Sequence, residues 1–252
     1  RSFSGFPHRA QGLIADFPAI ADLHSFFTSS RHRLHPAGRK LPGMLGKAGE
    51  KTMGHVIRNL VLFKLGWVAC VMLAAAGKPL LATLAVVVVA TIHLVTVPVV
   101  VKEALLLMAA CLIGLAWESI LVGTGILQYP GHAAESALAP HWIVAMWVLF
   151  ATTINHGLSW VKKHWAVAAV AGLLGGPMAF FGGANLGAVE FSNTLLSLAV
   201  IGAGWAVLLP VLVWISDTII DSPWLEPPLE TAPAEEDLRP LPIFEAQANN
   251  GQ

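Results

Sequence analysis

The sequence predicts an all-α fold, a polytopic transmembrane helix bundle of about six spans with both termini in the cytoplasm. Three observations predict it. First, 56% of the 252 residues are hydrophobic and only 12% are charged, whereas a soluble domain carries about 25% charged residues. Second, the apolar residues fall in continuous runs near the length of about 20 that crosses a bilayer as a helix. Third, Lys and Arg gather on alternate connections between those runs, the asymmetry that sets orientation. A spanning β-barrel would alternate apolar and polar residues in short segments. Leu84-Ala85-Val86-Val87-Val88-Val89-Ala90 does not alternate, and helices satisfy their own backbone inside lipid. The composition excludes a disordered chain. A balance of 15 basic and 15 acidic residues leaves no electrostatic footprint for nucleic acid.

That balance divides along the chain. Residues 1–58 hold nine basic and three acidic residues, residues 59–216 five and four, and residues 217–252 one and eight. The chain reads as a basic head, an almost uncharged body and an acidic tail.

The predicted spans are residues 56–77, 79–100, 103–127, 140–160, 164–183 and 194–216. Gly77-Lys78-Pro79 divides the first two, since Gly ends a helix at little cost and Pro cannot continue one. Lys102-Glu103 marks the second boundary, although Val99-Val100-Val101 runs almost directly into the third span. Gln128-Tyr129-Pro130-Gly131-His132 opens the longest connection. Lys162-Lys163-His164 separates the fourth and fifth spans, and Gly182 to Asn193 the fifth and sixth. With the N-terminus inside, the nine basic head residues, Lys102, Lys162, Lys163 and Arg239 are cytoplasmic, against Lys78 alone outside. Trp142, Trp160, Trp165 and Trp214 fall near span ends, where aromatic belts form.

Three domains are expected. Residues 1–52 read as a disordered or non-native basic extension, with Met53 as the natural start. No secretory signal is visible in it. A basic extension touching anionic lipid is the alternative. Residues 53–217 form the six-span domain. Residues 218–252 form a disordered tail rich in acid and proline.

Ionisable groups inside spans are costly and are candidate functional groups. Lys64, about 12 Å from the inner end of the first span, either snorkels to the interface or joins a polar belt. His93 lies at a similar depth. In the fourth span Thr152, Asn155, His156 and Ser159 recur at helical spacing. Lys64, His93, Asn155 and His156 would form a belt in the cytoplasmic half, either as a site or as helix–helix glue. Glu118, about 22 Å up the third span, is too far from His156 to pair with it. It reads as a structural hydrogen-bonding group or a proton site. Gly172 and Gly176 permit close helix approach, and Pro177 would kink the fifth span. Cys70 and Cys111 each sit in an apolar span and read as small hydrophobes. No paired Cys or His motif points to a metal, and no phosphate loop, dinucleotide fingerprint or nucleophile elbow is present. No metal or other cofactor is therefore expected.

The segments Pro140-His141-Trp142-Ile143, Met146-Trp147-Val148-Leu149-Phe150-Ala151-Thr152-Thr153-Ile154-Asn155-His156, Gly175-Gly176-Pro177 and Gly182-Gly183-Ala184-Asn185-Leu186-Gly187-Ala188 resemble a bacterial inner-membrane family, the domain of unknown function family 2878. Asn59-Leu60-Val61-Leu62-Phe63-Lys64-Leu65-Gly66-Trp67 is similar to its opening span. The resemblance covers residues 56 to 216, and Phe-Ala-Thr-Thr-x-Asn-His is its most specific part. It implies a multi-pass protein of the bacterial inner membrane and supplies no catalytic residues. Such family members are encoded near enzymes that modify membrane fatty acids, which implies a lipid-related role.

Three functions compete. The first is a non-catalytic accessory component of membrane-lipid metabolism. The second is a membrane-embedded lipid-modifying enzyme or lipid headgroup site built on the polar belt. The third is a small proton-coupled transporter with Glu118 as proton site and Pro177 as hinge, which the lack of an internal repeat counts against. Membrane lipids are the expected partners. The sequence names no protein partner.

Overall fold

Helices account for nearly all the regular structure, as the apolar runs require. A computed structural model describes residues 44–133, 136, 138–222 and 225. The helices are α1 (Met44–Ala75), α2 (Pro79–Leu94), α3 (Val100–Gly123), α4 (His141–Ala151), α5 (Trp165–Asn185) and α6 (Thr194–Ile220). A 3-10 helix at Ser159–Lys163 precedes α5, and two short strands, β1 (Leu127–Gln128) and β2 (Glu190–Phe191), pair antiparallel. The first helix begins at Met44, upstream of Met53. The rest of the basic head and nearly all of the acidic tail lie outside the described residues.

The helix ends follow local chemistry. At the end of α1, Gly77 has φ +70°, a conformation that costs glycine little. There Gly77 N–H donates to the Ala74 carbonyl and Lys78 N–H to the Leu73 carbonyl, the paired bonds of a Schellman stop. Gly125 after α3 repeats both the φ and the bonds. Asn193 begins α6 by accepting the Leu196 N–H at 3.0 Å, satisfying one of the orphan donors of a helix start.

Four helices (α1 from Met53, α3, α5 and α6) are long and apolar enough to cross a membrane. The other two are shorter than the expected spans. α2 stops at Leu94, where Pro98 and the Thr96 hydroxyl, bonded to the His93 carbonyl, favour a turn. α4 stops at Ala151 after 11 residues, about 16 Å of helix. Residues 152–158 are turns, so the expected helical face of Thr152, Asn155, His156 and Ser159 does not form. The reason is competition for carbonyls. Thr152 Oγ1 donates to the Leu149 carbonyl and Thr153 Oγ1 to the Phe150 carbonyl, and the amides of Thr153, Ile154 and His156 bond three residues back. Hydroxyls that bond the preceding turn loosen an α-helix in this way.

α4 sits between α1, α2 and α3, while α6 packs against α5 and α3. Trp147 of α4 stacks on Trp205 of α6 with centroids 4.6 Å apart. Trp205 in turn lies against the glycines of α5. A Cβ at Gly172 would collide with the Trp205 carbonyl, and one at Gly176 would lie 2.5 Å from its indole Cγ. α5 continues as one α-helix through Pro177, whose ring would be 3.2 Å from a Cβ at Gly202. Pro177 is thus part of the α5–α6 contact.

The outward faces are apolar. Val87, Val88, Met108, Leu112, Leu174, Phe181, Leu195 and Val207 are all exposed. An apolar exterior of this extent marks a lipid-facing surface, and the chain is a helical membrane protein. Trp165 and Trp214 are exposed as an aromatic belt requires, whereas Trp142 is buried against Tyr129.

Gly172→Ala should destabilise the protein by about 1–3 kcal/mol through overpacking. Gly175→Ala, where a Cβ meets nothing within 4 Å, should change it by less than about 1 kcal/mol. Thermal unfolding of the two variants in detergent checks the pair.

Candidate functional site

The polar groups inside the bundle form two separate clusters. One lies where α3 meets the β1 connection. Glu118 is fully buried. Its carboxylate accepts the Tyr129 hydroxyl at 2.8 Å and the Trp147 indole N–H at 2.9 Å. Burial, the neighbouring carboxylate and the hydrogen bond to it raise the Tyr129 pKa well above its ordinary value, so Tyr129 stays a donor. Glu118 thereby ties the connection after α3 to the middle of α4. The Thr152 hydroxyl is not part of this cluster and donates to the Leu149 carbonyl.

The second cluster gathers the end of α2, the start of α3, the turns after α4 and the end of α6. Glu103, in the first turn of α3, is its hub. His93 Nε2 lies 3.2 Å from Glu103 Oε2, and His156 Nε2 lies 3.3 Å from Oε1. Asn155 Nδ2 donates to Oε1 at 3.1 Å. The two imidazole rings meet edge to face with centroids 5.0 Å apart. Behind them Asn155 Oδ1 accepts from Lys162 Nζ at 2.8 Å and from the Ser216 hydroxyl at 2.6 Å. Lys162 also pairs with Asp217 at 2.7 Å. Beside this network Lys102 donates to the Ile220 carbonyl at 2.6 Å, meeting an orphan acceptor at the end of α6.

The turns that carry Asn155 and His156 are held by Asn59 of α1. Asn59 Nδ2 donates to the Thr152 carbonyl at 2.9 Å, and its Oδ1 accepts the Gly157 N–H at 3.1 Å. A Cβ at Gly157 would collide with Leu60, so the close approach to α1 requires glycine there.

In front of the histidines lies a cavity of ≈ 230 Å³. Its walls include His55, Arg58 and Asn59 of α1, His93 with the Thr96–Pro98 turn, and Thr152 with His156. Arg58 and His55 are exposed and 3.2 Å apart. A smaller apolar cavity of ≈ 80 Å³ lies elsewhere between α1, α4, α5 and α6, with Phe63, Trp67, Tyr129 and Trp142 in its wall.

Of the expected belt, His93, Asn155 and His156 come together. Lys64 does not line their cavity. It is exposed, with its ammonium 5.1 Å from the Trp67 ring centroid. Glu103, Lys162, Ser216 and Arg58 were not among the residues expected. Glu103 was read as a boundary residue, yet it is buried. One signal marks it in the sequence: it is the one acid of residues 59–216 on the side where Lys102, Lys162 and Lys163 gather. No paired motif in the sequence marks the next grouping. The ligand atoms of His93, Glu103 and His156 all lie within 4.8 Å of one another, although the three residues come from separate segments.

Asn155→Ala should destabilise the protein by about 2–4 kcal/mol, because Lys162, Ser216 and Glu103 each lose a partner. Asp217→Asn should cost less than about 1 kcal/mol, as its ion pair is partly exposed. In the other cluster Glu118→Ala should cost about 2–5 kcal/mol by orphaning two buried donors. Glu118→Gln keeps an acceptor for Trp147 and should cost clearly less. Thermal or denaturant unfolding in detergent measures all four.

No curated protein and no solved structure matches the chain. A family model does match, over residues 56–211. The match spans more than half of the chain and takes in His93, Glu103, Glu118, Asn155 and His156, while Ser216, Asp217 and Ile220 at the end of α6 lie beyond it. The chain belongs to the family described as protein of unknown function, DUF2878.

Proposed function

We propose that this protein is a multi-pass protein of the bacterial inner membrane that binds the anionic headgroup of a membrane lipid, as an accessory component of membrane-lipid metabolism. The observation that carries the reading is the ≈ 230 Å³ cavity with Arg58, His55, His93, His156 and Asn59 in its wall. Arg offers a planar set of donors suited to a phosphate, and the His55 imidazole, whose Nδ1 faces Arg58, and the Asn59 amide add further donors. Leu62, Val89, Val97 and Pro98 supply apolar wall beside them, as a site for an amphipathic ligand needs. The orientation with this end cytoplasmic follows from charge: Arg58, Lys102, Lys162 and Lys163 lie on this side and Lys78 on the other. Arg58 supplies the cation that Lys64 would have brought had it joined the belt.

The test is lipid retention. Wild-type protein in nanodiscs mixing phosphatidylglycerol with phosphatidylcholine should retain phosphatidylglycerol preferentially when released into detergent and weighed by native mass spectrometry. Arg58→Ala should lower that preference at least about 10-fold, the effect of roughly 1.4 kcal/mol. Equal retention of the two lipids by the wild type would reject the headgroup reading. Whole-cell lipid profiles that do not change on deletion of the gene would reject the metabolic role.

A further inference from the structure

We propose that His93, Glu103 and His156 form a binding site for one divalent first-row transition ion, held by two imidazole nitrogens and one carboxylate with a coordination position open toward the cavity. The inference is independent of the headgroup reading.

The geometry carries it. Two ligands each about 2.1 Å from a tetrahedral ion stand roughly 3.4 Å apart. His93 Nε2 is 3.2 Å from Glu103 Oε2, and His156 Nε2 is 3.3 Å from Glu103 Oε1. The Nε2 atoms therefore already stand at about ligand spacing from the carboxylate, and all three groups fit within 4.8 Å. An ion would take the place of the hydrogens now shared between them. Each neutral imidazole can move its hydrogen to Nδ1 and present the Nε2 lone pair without changing charge.

The setting is that of a built site. His93 and Glu103 are buried, so little side-chain freedom remains to be lost on binding. Glu103 is aimed by Asn155, and Asn155 is fixed by Lys162 and Ser216. Outer partners of this kind orient metal ligands and raise affinity. Lys162 is turned to Asp217 and the Asn155 Oδ1 atom. The three ligands come from the end of α2, the start of α3 and the turns after α4, so only the folded bundle assembles them.

The donor set selects the ion class. Two imidazoles and a carboxylate suit Zn²⁺ or Fe²⁺ and poorly suit Mg²⁺ or Ca²⁺, which take oxygen ligands. Three protein ligands leave a position for water or another small ligand. Both histidines line the ≈ 230 Å³ cavity, so the open position faces that space. A divalent ion balanced by one carboxylate carries a net positive charge, which favours an anionic occupant there.

The experiment uses the full chain in detergent, stripped with a chelator and then equilibrated separately with Zn²⁺, Co²⁺, anaerobic Fe²⁺ or Mg²⁺. After desalting, bound metal is counted by plasma mass spectrometry, and the Co²⁺ form is examined for visible ligand-field bands. About one transition ion per chain and no retained Mg²⁺ are expected. His156→Ala, at the half-exposed ligand, should lower affinity at least about 100-fold, and Asn155→Ala about 10–100-fold. His132→Asn, in the connection after β1, should bind as the wild type does. Circular dichroism and monodispersity confirm that each variant is folded. If the folded wild type retains no transition ion, or if His156→Ala retains it unchanged, the site does not exist.

Discussion

Between Thr152 and Leu158 the backbone leaves the α-helix while still enclosed by other helices, and every polar group it releases must be met inside the bundle. Asn59 meets two of them with one amide, donating to the Thr152 carbonyl and accepting from Gly157. The threonine hydroxyls before the break take carbonyls of the last turn. This solution brings Asn155 and His156 to the Glu103 carboxylate. Broken helices whose backbone borders a cavity are a recurring way to build sites at membrane depth. Here the break, the cavity and the buried carboxylate occur together.

The two carboxylates of α3 illustrate how surroundings divide the roles of like groups. Glu118 has two neutral donors, is fully buried, and links the bundle to its connecting loop. Glu103 has two imidazoles and an amide, and the imidazoles border the cavity. The first arrangement is closed and serves packing. The second has ligand-capable groups facing open space, which is why the functional reading rests there.

Much of the architecture was legible in the sequence. Apolar runs and their Gly-Lys-Pro and Lys-Lys-His boundaries located six helices, because burial in lipid demands long uninterrupted apolar segments. The close approach at Gly172 and Gly176 was legible for the same kind of reason, since small residues at helical spacing admit a neighbouring backbone. The early end of α4 was not. Its sequence continues apolar and periodic, and only the competition from Thr152 and Thr153 and the reach of Asn59 from another helix end it. Glu103 was misjudged, and the two readings of Lys64 could not be separated, for one reason. Depth along a span was readable, but the direction around the bundle that each side chain faces depends on how the helices pack.

The sequence by itself determined the class: a helical membrane protein whose apolar runs leave no soluble alternative. It also marked His93, Asn155 and His156 as polar groups that lipid would penalise. Tertiary structure alone decided which of them meet. The partners of Glu103 are 10, 52 and 53 residues away in the chain, and no local spacing rule reaches that far. Helix rotation, set by the indole of Trp205 against the α5 glycines and of Trp147 against Trp205, fixes where those side chains converge.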